Sequence, residues 1–568
     1  MCVPKRLFVL TIAVLAFASV SKAQNPVVQF LGGGSSALFM ELGQAAQSAT
    51  TTSTPCVWTQ DRDPNILARD DRFDPNPQDE QGNIWVTWSP GSTGTCAAPS
   101  GAGINIYAYM SLDSVAGTRC YYEVDASLTP GCTHIMQIAA GTPGANLLCS
   151  PSTCTSFGPD TPIPQVIITA LHTKHFFVAA TDIRPEDAKF AVLRMLTPCG
   201  TPFYRQPFDL GLRQVYGLGY QTDSNGKGMP VLSYFSPASR NVLSFNIDGD
   251  DPVTQEPVPS YTIIPLGAKP IVVVVSPAGG TGIGAATDIN GFTLTLFLQG
   301  VLGRSTDLLG PTTTNPVTAL IPEPLSGAYN VMEYSIPNTS QFHSSQDGDN
   351  CSFNQYYSNP MNLQSNNGQY LGYRKRFVGT EEVIPILQNA TTDSLGYFFW
   401  SAGNATNFTA ANGKYLKVNG VDPIQDSYTN GVLPNAANGN LGNVTFKWMN
   451  MGDYPIWSVL RLVTTTPPPA GVTNLVAGLQ ALNLVQNDFI PMSQLNVWHS
   501  HFYFPAIGLV VEGNGTTINP ATPGDLCSVP GALDEIGGDA GGANVLKQVN
   551  SDFCTDFGNI NGLANKAN

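Results

Sequence analysis

Five consecutive β-branched residues, Ile271-Val272-Val273-Val274-Val275, leave this part of the chain little choice of local structure. Branching at Cβ restricts χ1 and favours a strand over a helix, and an unbroken apolar run puts hydrocarbon on both faces of that strand. Such a strand needs cover on both sides, as a central strand of an α/β sheet has, and the parallel sheet is the usual setting. The run ends a longer strand-like stretch, Tyr261 to Ser276, and is too short to span a membrane. Gly279 to Gly284 follow it with the wrong spacing for a dinucleotide-binding loop, and no helix starts at once.

Strand and helix patterns alternate elsewhere. Val27 to Leu31 reads as a strand, Gly32-Gly33-Gly34-Ser35-Ser36 as a loop, and Ala37 to Leu42 has helical spacing. The apolar runs Val166 to Leu171 and Phe176 to Ala180 lead into the polar turn Thr181-Asp182-Ile183-Arg184, with Phe190 to Leu196 helical after it. Phe292 to Val301 and Thr380 to Leu387 read as helices, and Ser394 to Trp400, Tyr415 to Val418 and Trp457 to Val463 as strands. Pro467-Pro468-Pro469 breaks the chain before a helix near Leu475 to Asn487. The alternation predicts an α/β fold with largely parallel sheets.

The first residues predict export. Lys5 and Arg6, the apolar run Leu7 to Val20 and the small residues of Ser21-Lys22-Ala23 form a signal peptide with cleavage after Ala23. The run is short for a membrane anchor, and Cys2 stands too far upstream to be a lipid-attachment cysteine, so a free periplasmic or secreted chain, not embedded in the membrane, is expected. The formal net charge of −15 becomes more negative once Lys5, Arg6 and Lys22 leave, which excludes nucleic acid as a partner. With 42% hydrophobic and 12% charged residues the chain is folded over most of its length, and it has room for two or more domains. Residues from about 520 on are rich in Gly, Asn and Asp and read as a poorly ordered tail.

Beyond Cys2 stand ten cysteines, an even number that in an exported chain predicts disulfides. Cys149 with Cys154 and Cys527 with Cys554 are the pairs that spacing suggests; the rest of the connectivity stays open. No C-x-x-C pair is present, and His172 with His175, or His499 with His501, reads as a structural group near a strand end before it reads as a ligand pair, so no metal or other cofactor is expected. Residues 48 to 165 hold six of the ten cysteines together with alternating runs such as Ile84 to Trp88 and Ile104 to Tyr109. They predict a disulfide-rich, mainly β insertion. The acidic stretch Asp61 to Glu80 does not fit an EF-hand loop and reads as a solvated loop.

Two of the turns have the character of anion sites. A glycine loop between a strand and a helix lets backbone N–H groups converge where the helix dipole favours negative charge. Ser36 equally suits a plain N-cap, and so do Thr181 and Asp182 at the second turn.

Taken in order, seven segments resemble the phosphate-specific periplasmic binding proteins of ABC transporters. They are Gly32 to Ser36, Thr181-Asp182, Pro265 to Val273, Leu296 to Gly303, Glu323 to Asn330, Ser394 to Tyr397, and Tyr454 to Trp457. The resemblance runs from residue 27 to about 465, and residues 48 to 165 and the tail have no counterpart in it. It implies an α/β fold of the two-lobed type II periplasmic-binding kind, with a first lobe over 24–265, a second over 266–452, a return to the first over 453–520 and a tail over 521–568. It also implies phosphate or another small oxyanion held between the lobes, and an ABC transporter membrane component as partner. By the same resemblance Ser35, Ser36, Thr181, Asp182, Ser326 and Gly327 hold the ligand, with Gly34, Arg184 and Ala328 beside them and Asp182 as acceptor of the ligand's proton. The far-lobe loop departs from the family. Pro322 stands where the family has an Arg and Ala328 where it has a Thr, a loss of charge-assisted bonds worth about 1.5–3 kcal/mol each. Arg184 is the candidate replacement.

The reading is therefore a solute-binding protein. Its rival is a secreted or surface interaction protein that keeps this fold and has lost phosphate transport. An enzyme is not expected, because the sequence holds no Gly-x-Ser-x-Gly elbow, metal cluster or Ser/His/Asp grouping.

Overall fold

In a computed structural model the described residues are 26–50, 55–60, 83–112, 114–122, 140–148, 160–185, 188, 221–222, 228–229, 250–251, 257–276, 282–299, 302–310, 315–322, 326–336, 361–364, 370–377, 393–402, 413–434, 440–482, 488–495, 510–511 and 517–518. The first half of the fold has strands β1 (Val27–Ser35), β2 (Cys56–Gln60), β3 (Ile84–Trp88), β4 (Asn105–Leu112) and β5 (Val178–Thr181). With them run helices α1 (Phe39–Ala49), α2 (Ser114–Tyr122) and α3 (Gln165–His172). The long β6 (Tyr261–Ser276) leads into the second half, made of α4 (Gly291–Gln299), β7 (Val317–Pro322), α5 (Gly327–Ser335), β8 (Met361–Gln364), β9 (Tyr370–Phe377), β10 (Asp393–Phe399) and β11 (Lys414–Tyr415). The chain returns through β12 (Trp457–Thr465), α6 (Ala470–Gln480) and β13 (Ile490–Pro491).

Among the described residues these 13 strands form one sheet in the order β8-β9-β7-β10-β6-β12-β5-β1-β4-β3-β2, with β11 and β13 also paired to β6. Each half has a parallel centre, β4-β1-β5 in one and β10-β7-β9 in the other. β6 belongs to both. Its residues 261–270 pair with β12 and 271–276 with β10, so the partner changes between Pro270 and Ile271. The returning chain runs alongside at that point, where Ile271 N–H donates to Ile456 O (2.8 Å) and the Tyr454 hydroxyl to Ile271 O (2.6 Å). Two adjacent crossings thus join two halves of a mixed α/β fold.

Ile271 to Val275 are fully buried, but their partners β10 and β11 are antiparallel to β6, as β12 is to residues 261–270. The sheet is mixed where the sequence predicted largely parallel pairing. An apolar run reports burial on two faces and carries no information on the direction of its neighbours. The strand period of two sorts the first half's core cleanly. Trp85 turns to the face of Phe30, Leu42 and Tyr109, while Ile84, Val86 and Trp88 turn to the other, where Ile167, Ile168 and Leu171 of α3 cover them. Phe30, Trp85 and Tyr109 stack with centroids 6.2 and 5.9 Å apart, and Trp85 Nε1 donates to Phe39 O, pinning α1 to the sheet.

Residues 48–165 contribute more than an appended module. β2 and β3 extend the sheet's antiparallel edge, with a Cys56–Cys96 disulfide beside them, and Cys120 is disulfide-bonded as well. From the same segment β4 lies directly beside β1, and α2 packs on β1 and β5. The run Val166 to Leu171 is the helix α3, and α6 begins at Ala470, directly after Pro469, several residues before the predicted start. A proline lacks the N–H that an N-terminal position leaves unused in any case, so it admits a helix immediately.

Outside the described residues lie the signal segment, Asp61 to Glu80, Phe190 to Leu196, Gly279 to Thr281, Thr380 to Leu387, the pairs Cys149–Cys154 and Cys527–Cys554, and the tail. No described helix is long and apolar enough to cross a membrane.

Candidate functional site

Ligands of α/β folds bind beyond the carboxyl ends of parallel strands, where loops lead into helix N-termini. β1, β4 and β5 end side by side, since Ser35 lies opposite Leu112 and Gly34 opposite Ala180. Three turns therefore leave one edge of the sheet, at Ser35, at Ser114 and at Asp182. From the other half the start of α5 arrives at the same place. A Cβ on Gly327 would collide with Asp182 Oδ2 and lie 2.6 Å from Ser114 Oγ, so any larger residue here has to displace both side chains.

Gly32 to Ser35, predicted as a loop, are instead the end of β1, paired with β4 and β5 at distances that glycine permits. Gly34 has φ +139°, and a Cβ there would run into the carbonyl of Ala180. α2 leans on the same spot, because a Cβ on Gly117 would strike Gly33 O and Gly34 Cα. Ser35 is the N-cap residue of the turn Ser36–Leu38, its Oγ accepting from Ala37 N–H (3.1 Å) while its O–H remains able to donate elsewhere. The sequence suggested Ser36 for that capping role, and the half-buried Ser36 instead opens the turn.

At the second turn the Thr181 hydroxyl donates to Ile183 O (2.7 Å) and accepts from Ile183 N–H (3.1 Å), which closes the turn on itself. Asp182 is held at both backbone ends. Its N–H donates to Ser114 Oγ (3.1 Å), and its carbonyl accepts from Ser458 Oγ (2.6 Å) and Arg461 Nη1 (3.1 Å). Its carboxylate, almost wholly buried, faces Gly327. Arg184 is buried too, and its carbonyl accepts from Ala188 N–H (2.9 Å) at the start of a helical turn.

On the far side Ser326 is the N-cap of α5 in extended backbone, and its hydroxyl caps no amide of its own helix. Ala328 is buried in the first turn, and Pro322 is the buried last residue of β7.

The ionisable groups nearby are buried. The Tyr109 hydroxyl donates to Ser35 O (2.6 Å); burial, then the Asp182 and Glu41 carboxylates, push this phenol well above its ordinary value. Lys269 Nζ donates to Ala37 O (2.8 Å) and to Glu41 Oε1 (2.6 Å), tying the start of α1 to β6 one residue from its change of partner. Burial raises the Glu41 carboxyl, Lys269 opposing it and Asp488 adding to it. Burial raises Asp488 likewise, against Lys269 and a bond from Ala402 N–H.

The structure thus packs Gly327 against Asp182, with Ser35 at the neighbouring strand end and the Thr181 hydroxyl committed to Ile183, while Gly34, Ser36, Arg184, Ser326 and Ala328 adjoin them in the chain. Sequence reasoning missed Ser114, Ser458, Arg461 and Tyr109. Ser114 opens a helix directly after a strand, the same strand–turn–helix signal that singled out Ser35, and it was legible. Ser458 and Arg461 are alternate-face residues of an apolar strand and carry no such signal. Among the described residues no group of three or more His, Cys, Asp or Glu is placed to hold a metal.

No family model matches the chain. No curated protein matches it either. Among solved structures it is similar to an ancestral soluble variant of the human phosphate-binding protein, with 13% identity over 82% of this chain and 90% of that one and a TM-score of 0.31. It is similar to a phosphate-binding protein from Stenotrophomonas maltophilia at 12% identity, covering 58% and 80% with a TM-score of 0.28. An ABC-type phosphate transport receptor from Vibrio cholerae matches at 11% identity over 41% and 72%, with a TM-score of 0.25. At these identities and TM-scores the likeness to phosphate-binding proteins carries no argument of its own, and the site is argued from the chain's own residues.

Proposed function

We propose that the chain is an exported solute-binding protein that holds phosphate or a similar small oxyanion in the crevice between its halves. The observation that supports this most is the meeting of the Asp182 turn with the start of α5. An anion there exchanges its water for hydroxyls and for amides at helix N-termini, where the dipole favours negative charge. Ser35, Ser36, Ser326 and Gly327 are the proposed donors, and Asp182 accepts the proton that hydrogen phosphate carries.

The lobes on this reading are 24–265 completed by 453–520, and 266–452, with the crossings at Pro270–Ile271 and Ile456–Trp457 as the hinge. Closure about two strand crossings brings α5 against the Asp182 turn. The loaded protein then delivers its ligand to an ABC transporter membrane component in the periplasm or at the cell surface.

A second reading is favoured by the far wall. Pro322 and Ala328 give α5 no cation and no hydroxyl of their own, which suits a secreted interaction protein that keeps the fold without phosphate transport. Calorimetric titration of the mature protein with phosphate separates the two. Heat of binding at micromolar phosphate is expected, and none up to millimolar phosphate supports the second reading. Asp182→Asn is expected to weaken phosphate by about tenfold or more, the scale of one charge-assisted bond. Unchanged affinity removes Asp182 from the site.

A further inference from the structure

We infer that Arg461 is a positioning residue of the anion site, holding the Asp182 carboxylate in place and in its charged form; the inference rests on the anion reading above. β12 sets Arg461 opposite Thr181, fully buried at the strand end from which the Asp182 turn departs. Its Nη1 donates to Asp182 O (3.1 Å) and to Val459 O (2.6 Å), and Ser458 Oγ donates to the same Asp182 carbonyl (2.6 Å). With Ser114 Oγ on the N–H of Asp182, both backbone polar groups of that residue are fixed, and only its two side-chain torsions are left to place the carboxylate.

The charge adds what a neutral brace cannot. A guanidinium stays protonated at any pH the fold survives, and in a dry setting it favours the ionised state of a carboxylate close by. The ionisable groups on the elements around this turn include the Tyr109 phenol, the Glu41 carboxyl within reach of that phenol, Arg184 two residues along the chain, Arg119 of α2 in its ion pair with Asp251, and the buried Glu333 of α5. An ionised Asp182 accepts hydrogen bonds and donates none, so it suits a ligand that brings a proton. α5 also packs on β12, so the strand that braces the near wall touches the helix of the far one.

The test compares a charged brace with a neutral one. Arg461→Gln, Arg461→Lys and Ser458→Ala are prepared, and the Asp182 carboxyl is titrated by NMR on protein labelled at aspartate 13Cγ, with Asp182→Asn assigning the signal. Arg461→Gln raises the Asp182 pKa, while Ser458→Ala and Arg461→Lys leave it near the wild-type value. Phosphate affinity falls about tenfold or more in Arg461→Gln, less in Ser458→Ala, and partly recovers in Arg461→Lys. An Asp182 titration unmoved in Arg461→Gln overturns the proposal. If the glutamine variant does not fold, the lysine variant decides: an Asp182 pKa raised despite the retained charge overturns the proposal as well. A wild type that binds no phosphate while Arg461→Gln still raises the Asp182 pKa upholds the brace and overturns the ligand reading instead.

Discussion

The first half meets the candidate site with a turn braced by three side chains, whereas the second half meets it with the start of a helix that its own serine does not cap. Asp182 is tied to α2 through Ser114 and to β12 through Ser458 and Arg461, and Ser35 is tied to β4 through Tyr109. Ser326 and Gly327 contribute backbone, a hydroxyl and the room that a missing Cβ leaves. A rigid near wall with oriented acceptors and donors confers selectivity, because unmatched polar groups are costly when nothing can move to pair them. A far wall of helix amides answers negative charge of many shapes. On the proposed anion-binding reading, the contrast assigns discrimination to the first half and closure to the second.

The largest effect falls on the near wall. Gly34→Ala forces a side chain into the Ala180 carbonyl at a φ that L-residues rarely adopt, and stability drops by on the order of 3 kcal/mol in denaturant unfolding. A loss below about 1 kcal/mol means the two strands are not packed this closely.

On the far wall Gly327→Ala pushes against the Asp182 carboxylate and the Ser114 hydroxyl, both side-chain atoms that are able to shift. The fold is expected to survive, with phosphate affinity reduced by about 1–3 kcal/mol in calorimetry. Equal affinity in this variant breaks the picture of a crevice closed by α5. Ser326→Ala, which removes one neutral hydroxyl, costs about 1 kcal/mol of binding and leaves the melting temperature in place. A larger loss than that of Gly327→Ala places selectivity on the far wall and reverses the contrast.

The smallest effect concerns the buried carboxyls behind the end of β1. Glu41 and Asp488 are both raised in the folded protein, so their contribution to stability is present below their unfolded values and lost as pH rises through the folded ones. Asp488→Asn is expected to flatten that decline as pH rises above the ordinary carboxylate range, as read from unfolding midpoints across pH. A decline as steep as the wild type's removes Asp488 from the balance.

Local patterning made much of the fold legible. Val27 to Leu42 announces a strand, a turn and a helix through its apolar spacing and glycines, and the strands at Ile84, Ile104, Tyr261, Ser394 and Trp457 announce themselves by period or branching. The direction of β6's partners and the place of β4 beside β1 did not, because the partners of a strand lie tens to hundreds of residues away and leave no local trace. The same holds at the site.

The sequence by itself determined where strands end in polar turns near Ser35 and Asp182, since turn chemistry and helix starts are local matters of a few residues, while Ser326 entered only through the resemblance. Only the tertiary structure decided which of those turns meet and what holds them. Ser458 and Arg461 reach the Asp182 carbonyl across 276 and 279 residues of chain, and such a bond forms because the sheet aligns the two strands. A side chain buried in a strand reads as core until its partner across the sheet is known.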